Sequence, residues 1–588
     1  MEKWVLEAKK ADFQKLGRQF GVDPLLIRLM VNRGVGTEQE MRQYLYGTLE
    51  DLYAPQEMKD MEKAGDVVLG AIAAGLPIVI ASDFDVDGIF SGQILLEGFQ
   101  KLGAAATVKT PHRIREGYGL NRRIVEETAA EGAGLIVSCD NGIAAFEAAE
   151  RAAELGLPLV VTDHHEVAFQ MEADGSRIYQ LPKAEAILDP KQEDCPYPFK
   201  KLCGAGVAYK LVQYLYERQN VPKEELENLL EYVAIATVAD VMDLEGENRI
   251  FVKEGLKRLR RTKKPGLQAL IDANQLAKER LSSYHIGFVL GPCFNAAGRL
   301  ETAAEAFSLL AAKTREEAEP LASQLKVLND SRKEMTVRGT EQAIEWIEHS
   351  SVKEDKVMVV PLEECHESLV GIIAGRIKER YHHPVIVVTS VEEGYKGSGR
   401  SIEAYNMFEG LQGCRKLMSR FGGHAMAAGL TLPKENLPIL REQLNREAHL
   451  TEEDFVPIIR IDAAMPLGYI SEKLVEEIEV LEPFGKGNPK PLFAEKKFWI
   501  RRASVVGKTR PFLRLQVQNA AGTVMDGIYF GDAKEFEQRV AGKFGSAAWE
   551  QALRGEKNGI CLMLAYYPSI NEYMGRRSLQ IVIENYCC

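Results

Sequence analysis

Residues 78–93 read IVIASDFDVDGIFSGQ. An apolar run ends there in three aspartates at alternate positions, Asp83, Asp85 and Asp87, followed by Gly88. The pattern decides the fold because its grammar recurs. LPIVIASD (Leu76 to Asp83), GLIVSCD (Gly134 to Asp140) and LPLVVTD (Leu157 to Asp163) are each a short apolar run closed by an aspartate. Stretches with helical character, SGQILLEGFQKLG and AAFEAAERAAELG, lie between them. Strand, helix, strand in this order predicts an α/β fold, a parallel sheet with helices on both faces. Ligands of such sheets bind beyond the carboxyl ends of the strands, where all three aspartates fall.

The trio reads as alternate residues on one face of an extended segment, with Gly88 permitting a sharp turn into the next helix. Crowded like charges are costly unless something positive sits between them, and a divalent cation is the simplest compensation. Other segments supply further ligand types: Asp140 in CDNG, Asp163, His164, His165 and Glu166 in TDHHE, and Asp240 closing an apolar run in ATVADVMDL. Carboxylates with imidazole suit Mn²⁺ or Mg²⁺. The set exceeds what one ion needs, and two ions about 3.5–4 Å apart are a common arrangement for phosphoester hydrolysis. Such a pair activates a water and stabilises charge developing on the phosphate oxygens. Each fragment alone has a plainer reading: a calcium loop or solvated turn for DxDxDG, a satisfied core residue for His164. Their joint occurrence on one predicted sheet carries the metal reading.

The remaining chain is organised in blocks. Its 588 residues fit three or four domains. A net charge of −12 argues weakly against a basic nucleic-acid binder, but an acidic body can carry a basic groove. Nine scattered cysteines without a C-x-x-C pair read as reduced thiols. The N-terminus, MEKWVLEAKK, lacks a signal-peptide pattern and no apolar run is long enough for a bilayer, so the expectation is cytoplasmic, with no membrane contact. From about Ile250 to Ser350 the pattern is helical; Thr314 with Glu317 resembles a capping box, and Leu321, Leu325 and Leu328 share a face. A second strand-and-helix block follows, with KVMVVPL, HPVIVVTS and the glycine-rich YKGSGRS and FGGHAMAAG. Glycines in KGSGRS would let backbone N–H groups approach a phosphate, with Ser398, Arg400 and Ser401 adding donors; the plainer reading is a flexible turn. From about Asp462, short alternating runs such as FLRLQVQ and SLQIVIENY predict a small β-barrel.

Taken together, these motifs resemble the DHH phosphoesterase family, in its branch of single-strand-specific exonucleases. SDFDVDG, VSCDNGI, VTDHHE and TVADV match the family's four motifs in order. LGPCFNAAGRL, HESLVGIIAGRIKERYHHPVIV, KGSGRS, FGGHAMAAG and PFGKGNPKPLF match stretches particular to that branch, so the resemblance covers nearly the whole chain. It implies an N-terminal helical segment (1–60), a DHH phosphoesterase domain (61–250), a helical connector (251–345), a second α/β DHH-associated domain (346–455) and an OB-fold domain (456–588). It implies a 5′-to-3′ exonuclease that releases 5′-mononucleotides from single-stranded DNA in repair and recombination, with two Mn²⁺ or Mg²⁺ ions. A helicase and a single-strand-binding protein are its usual companions.

Carried over by residue, the resemblance makes Asp140, His164, Asp240 and members of the Asp83/Asp85/Asp87 trio the metal ligands, with Asp140 as the bridge. Which two of the trio ligate directly stays open. His165 would orient a water or the scissile phosphate, and Asp163 would hold a histidine tautomer. Arg299, Arg376, Ser398, Arg400, Ser401 and His424 would contact the strand, and Asn295 could serve as a structural cap instead. In the barrel, Arg501, Arg502, Lys508, Arg510 and Arg514, with Phe512 and Tyr529, would line a single-strand groove; a solvated barrel edge is the plainer reading. The chain departs from the family pattern at Cys293 (usually arginine), Cys365 (tryptophan), Ser368 (glycine) and Asp189 (asparagine), none a ligand position. Two rival readings are a phosphodiesterase for very short or cyclic oligonucleotides and a catalytically silent single-strand-binding scaffold. The barrel argues against the first and the complete ligand set against the second.

Overall fold

The computed structural model describes residues 2–113, 116–171, 176–300, 302–507, 512–573 and 575–588. Five parallel strands form the first sheet: β1 (Ile78–Ser82), β2 (Ala106–Lys109), β3 (Leu135–Cys139), β4 (Leu159–Thr162) and β5 (Ala186–Leu188), in the order β2-β1-β3-β4-β5. Every residue of β1, β3 and β4 is buried, as parallel strands covered on both faces require. Ile80 and Val137 face one hydrophobic cluster, while Ala81 and Ile136 face another on the opposite side. The first cluster holds three helices that matter for the site: α1 (Val86–Lys101), α2 (Gly204–Arg218) and α3 (Leu230–Ala239).

Helix α4 (Gly291–Leu300) and the long helix α5 (Arg315–Glu348) follow. Thr314 caps α5, its hydroxyl accepting the Glu317 N–H, while the Glu317 carboxylate takes the N–H of Lys313, one residue upstream of a standard capping box. Leu325 is buried in the first core, but Ala343 and Ile347 are buried in a second. The helix, about 50 Å long at 1.5 Å per residue, thus belongs to both bodies and fixes one against the other.

The second sheet comprises β6 (Met358–Pro361), β7 (Val385–Val391), β8 (Gly394–Arg400), β9 (Arg420–His424) and β10 (Ala427–Leu432), ordered β9-β10-β8-β7-β6, with helix α6 (Val370–Tyr381) against it. Only β6 and β7 run parallel. Here KGSGRS departs from the turn reading. Lys396 to Arg400 lie in β8, paired on both sides, and the Ser401 N–H donates to the Met426 carbonyl, so these backbone N–H groups serve the fold and are not free for phosphate.

The C-terminal barrel is β11 (Phe493–Val506), β12 (Phe512–Asn519), β13 (Val524–Tyr529), β14 (Cys561–Tyr573) and β15 (Arg576–Cys587). Pairing runs β11-β12-β13-β15-β14 and closes from β14 back to β11. Its core includes residues from the N-terminal helices, among them Leu26, Met30 and Tyr44. Lys3–Leu6 also pairs in parallel with Ile458–Ile461. The buried Arg249 ties these parts to the first body, donating to the carbonyls of Tyr44, Val480 and Leu481. Among the described residues no helix is long and apolar enough to cross a membrane.

Candidate active site: a carboxylate cluster facing an arginine cluster

The three aspartates of the opening stretch sit on three kinds of backbone, not on one extended face. Asp83 follows the end of β1. Asp85 is the N-cap of α1, its Oδ1 accepting the N–H groups of Asp87 and Gly88, each at 3.1 Å. Asp87 lies in the first turn of α1, and its oxygens accept from the Gly204 and Ala205 N–H groups at 2.6 and 2.8 Å, at the start of α2. The unpaired N–H groups of a helix start recruit a side-chain oxygen, and that demand overrides strand alternation. Gly88 is inside the helix, where a Cβ would meet the Asp83 backbone at 2.6 Å, so close approach and not turning requires glycine there.

Asp140 follows β3 with φ 58°, a left-handed conformation uncommon outside glycine and typical of functional sites. Its N–H donates to the Thr162 carbonyl at 3.0 Å. His164 Nε2 stands 3.1 Å from Asp140 Oδ1, 3.5 Å from Asp87 Oδ2 and 3.9 Å from Asp240 Oδ2. Asp240 ends a helix, as the C-cap of α3, where the sequence suggested a strand. Ligand atoms of Asp83, Asp85 and Asp140 lie within 4.8 Å of one another, as do those of Asp87, His164 and Asp240. Asp140 is common to the first set and to a third with His164 and His165, so the sets form one continuous cluster.

The electrostatics show what this cluster is built to hold. Burial, then Asp85, pushes the Asp83 carboxyl up to about 8. Burial and neighbouring aspartates push Asp140 and Asp240 well above the carboxylate range, and burial raises Asp87 despite His164. Burial lowers His164, keeping its imidazole neutral and able to ligate. Asp83 Oδ2, both oxygens of Asp140 and His164 Nδ1 are buried with no hydrogen-bond partner among the described residues. Orphaned buried acceptors are rare and costly. Divalent cations would satisfy the carboxylate oxygens, with His164 presenting Nε2 to the same carboxylates, so the donor set fits Mn²⁺ or Mg²⁺.

Asp163 organises the rim. Its Oδ1 accepts the His164 N–H at 2.7 Å and faces His165 Nδ1 at 2.7 Å, while Oδ2 accepts the Ile143 N–H at 2.9 Å. Burial opposes the charged His165 ring, but Asp163 outweighs it and lifts His165 to about 9. The Tyr118 hydroxyl lies 3.2 Å from His165 Nε2 and donates to the Asp140 carbonyl at 3.4 Å. Asn295 acts as the cap anticipated, its Oδ1 accepting the Val86 N–H at 3.1 Å.

Beside the carboxylates is a cluster of cations. Arg299, from α4, donates to the Ser368 carbonyl of the second body at 2.8 Å. Burial, then Arg113 and Arg332, lowers it to about 10 against the pull of Asp85, and Arg400 lowers it further. Arg113 feels Asp85 and Asp83 from one body and Glu367 from the other. Arg376 acts on Arg332. Ser398 and Arg400 share a face of β8, with Arg400 Nη1 donating to Ser398 Oγ at 2.8 Å. Ser401 is buried and its hydroxyl donates to the Tyr405 carbonyl at 2.6 Å, a bond that serves the fold. His424 is exposed at the end of β9, its Nδ1 accepting the Met426 N–H at 3.3 Å.

Sequence reasoning missed Arg113, Tyr118 and Arg332. The first two lie in PHRIREGYG, whose mixture of basic, aromatic and glycine residues after a strand is the signal that could have found them. Arg332 carries no such signal. Asn329 orients it, accepting its Nε and Nη2 at 3.1 and 2.9 Å, and Asn329 in turn rests on Cys293 Sγ at 3.4 Å. Cys293 is therefore buried behind the cation cluster. Burial and Asp163 push Asp189 up to about 8, leaving it mostly neutral at pH 7, as an asparagine would be. On the barrel, Arg502, Ser504, Arg514, Gln516 and Asp526 line a cleft of about 370 Å³. Tyr529 packs inward on Phe536 and Tyr586, while the exposed Phe530 lies beside Phe512. Lys508 and Arg510 lie outside the described residues.

An aspartate and histidine cluster at the carboxyl ends of a parallel sheet, faced by a mixed sheet on a long helix, defines a DHH phosphoesterase. The DHH family, N-terminal domain matches residues 77–237, the DHHA1 domain 354–449 and the RecJ OB domain 461–585. The chain is 36% identical to the single-stranded-DNA-specific exonuclease RecJ of Bacillus subtilis, over 99% of this chain and 70% of that protein. It is 35% identical to its namesake in Escherichia coli, over 96% and 95%. A crystal structure of exonuclease RecJ bound to manganese superposes with a TM-score of 0.58 at 29% identity, covering 68% of this chain and 98% of that one. RecJ of Thermus thermophilus in complex with Mn²⁺ shares the fold over all of this chain and 79% of that one, with a TM-score of 0.81 at 24% identity. The chain belongs to the RecJ family of single-stranded-DNA-specific exonucleases.

Proposed function

We propose that this chain is a metal-dependent exodeoxyribonuclease that degrades single-stranded DNA from its 5′ end, releasing 5′-mononucleotides. One observation carries the reading: buried carboxylates with orphaned oxygens stand directly beside arginines contributed by both bodies. Asp140, His164, Asp240 and members of the Asp83/Asp85/Asp87 trio would hold the ions, with Asp140 common to two of the ligand groups; Asp85 caps α1 through Oδ1 alone, whereas both oxygens of Asp87 already accept backbone N–H groups. Bound divalent ions supply an activated water and neutralise charge on the scissile phosphate. His165, protonated through Asp163, donates to a phosphate oxygen and orients it. Arg113, Arg299 and Arg400 with Ser398 bind the 5′ phosphate and its neighbours as charge-assisted donors. Arg376 and Arg332 extend that field. The barrel would guide the strand through Arg502, Arg514 and Phe530.

This reading implies a place in DNA repair and recombination in the cytoplasm. It also implies a helicase to supply the strand and a single-strand-binding protein to hold it. The test is a time course on internally labelled single strands with one end blocked at a time, in Mn²⁺, Mg²⁺ or chelator, beside a blunt duplex. Mononucleotides released only with metal, only from a free 5′ end and only from the single strand are expected. Tight binding without cleavage, or cleavage confined to dinucleotides, would replace the proposal with the scaffold or the small-substrate enzyme.

A further inference from the structure

Two large aromatic side chains near the cluster are left uncovered. Tyr284 is 62% exposed and Phe288 68%, and their rings stack on each other with centroids 5.0 Å apart and planes at 28°. They lie one turn apart, on the short helix Ser283–His285 and the π-helix Ile286–Leu290 that leads into α4. A π turn inside a helix is rare and is found frequently at functional sites. This one sits on the catalytic end of α3. A Cβ at Gly287 would stand 3.5 Å from Val238, and one at Gly291 would stand 2.8 Å from Ala239. Val238 and Ala239 immediately precede Asp240.

The other flank leads to the barrel. The Ser283 hydroxyl donates to the Phe484 carbonyl, and the Lys486 carbonyl accepts the Leu244 N–H at 2.7 Å. Phe484 to Lys486 belong to the segment that leads into β11. The aromatic pair thus stands between the carboxylate cluster and the barrel. The rim of this region is charge-balanced: Lys486 and Lys201 pair with Asp243 at 3.6 and 2.8 Å, and Lys201 also pairs with Glu245 at 2.6 Å. Val241, next to Asp240, is 60% exposed as well.

We infer that Tyr284 and Phe288 form a stacking platform for unpaired nucleobases of the strand as it passes between the barrel and the carboxylate cluster. The inference rests on the single-strand reading above. Flat rings held rigid by each other offer a π-face that any base can use, so the platform grips without reading sequence. Position selects DNA bases over another apolar occupant: the pair packs against the residues that precede Asp240 on one side and is tied to the segment leading into the barrel on the other, the two parts a single strand would visit. The bases would be held apart from a complementary strand at this point, a positioning role that touches no reacting atom.

The experiment uses the full-length chain in chelator, so that binding is read without cleavage. An oligonucleotide carries 2-aminopurine at one position at a time, counted from the 5′ end. The wild-type chain should quench one or two adjacent positions a few nucleotides inward. The variant Tyr284→Leu/Phe288→Leu, which keeps apolar bulk but removes the rings, should lose that quench and weaken binding roughly 10-fold, one stacked base being of that order. Tyr284→Trp/Phe288→Trp should keep both. Circular dichroism melting confirms that each variant is folded, and cleavage in Mn²⁺ reports separately on the parent reading. Normal cleavage with unchanged quench and affinity in the leucine variant overturns the platform. So does a wild-type dimer that the leucine variant abolishes, since the face would then pair copies of the chain. No single-strand binding or cleavage by the wild-type chain would instead sink the exonuclease reading itself.

Discussion

Asp140→Asn should make the metal-free protein more stable while removing its activity. Asparagine is nearly isosteric and tolerates the left-handed φ of 58° at this position, so the backbone keeps its conformation. The substitution removes from a set whose ligand atoms lie within 4.8 Å of one another a carboxyl that must either carry its charge against its neighbours or take up a proton to avoid it. Two full charges at that spacing repel by roughly 3.5 kcal/mol at an effective dielectric of about 20. Protonation already relieves part of this, because Asp83 titrates at about 8. The net gain in chelator should be about 1–3 kcal/mol near pH 8, read as about 2–4 °C per kcal/mol in the melting of the phosphoesterase domain, a unit in the roughly 150–250-residue size class.

The pH dependence has a definite sign. A carboxyl raised from 3.8 to about 8 on folding contributes stability below its unfolded value and loses it as pH rises through about 8. The metal-free wild-type chain should therefore melt lower at pH 8.5 than at pH 6, and the variant's advantage should grow over the same interval. Mn²⁺ should invert the order. At about 100 times its dissociation constant a ligand adds about 2.7 kcal/mol, which the wild-type chain gains and the variant largely forfeits. Cleavage should fall roughly 10³-fold, comparable to losing a preorganised electrostatic group in other hydrolytic sites. Melts at both pH values, with chelator and with Mn²⁺, and a cleavage assay test all of this. A variant less stable than wild type in chelator at both pH values would refute the repulsion argument, and a variant that cleaves normally would refute the ligand assignment.

Gly371→Ala places a Cβ 2.9 Å from Arg400 Nη2 and 3.0 Å from Ser398 Oγ, so it should displace that pair without altering any charge. A rise in KM, larger for 5′-phosphorylated than for 5′-hydroxyl strands, is the expected result; equal effects on both would refute it. Asp163→Asn removes the charge that holds His165 at about 9, so His165 should lose its proton nearer its ordinary value. Its cleavage should then fall off at lower pH than wild type, while calorimetry still detects Mn²⁺ binding; an unshifted pH–rate profile counts against His165 as donor. Mn²⁺ affinity itself should rise between pH 6 and 8.5, because Asp83, Asp87, Asp140 and Asp240 must shed protons to ligate. A flat titration across that range would show that the raised carboxyls are not the ligands.

What the sequence made legible was local. Three buried parallel strands announce themselves because a strand covered on both faces must be apolar throughout, and the aspartates mark where each one ends. Asp240 was misplaced on a strand because a short apolar run looks alike in a buried strand and a buried helix. The alternation of Asp83, Asp85 and Asp87 misled for a related reason: the N–H groups needing a cap arise only once α1 has formed. KGSGRS reads as a loop by composition, yet neighbours on both sides hold it in the second sheet. Contacts between segments hundreds of residues apart left no trace, so neither the packing of the N-terminal helices on the barrel nor the meeting of Arg113, Arg299, Arg332 and Arg400 could be read. That convergence also explains how a chain of net charge −12 handles DNA. Burial, then crowding, makes the carboxylates hold their protons, and burial, then the neighbouring arginines, lowers Arg299 to about 10. Each cluster is strained by burial and by its own like charges. Divalent cations relieve one and a phosphate backbone relieves the other, so a metal-loaded, strand-bound state resolves both repulsions at once. The same reasoning makes the two ligands cooperative: either should bind more tightly when the other is present, since each leaves less charge unpaired in the shared cleft.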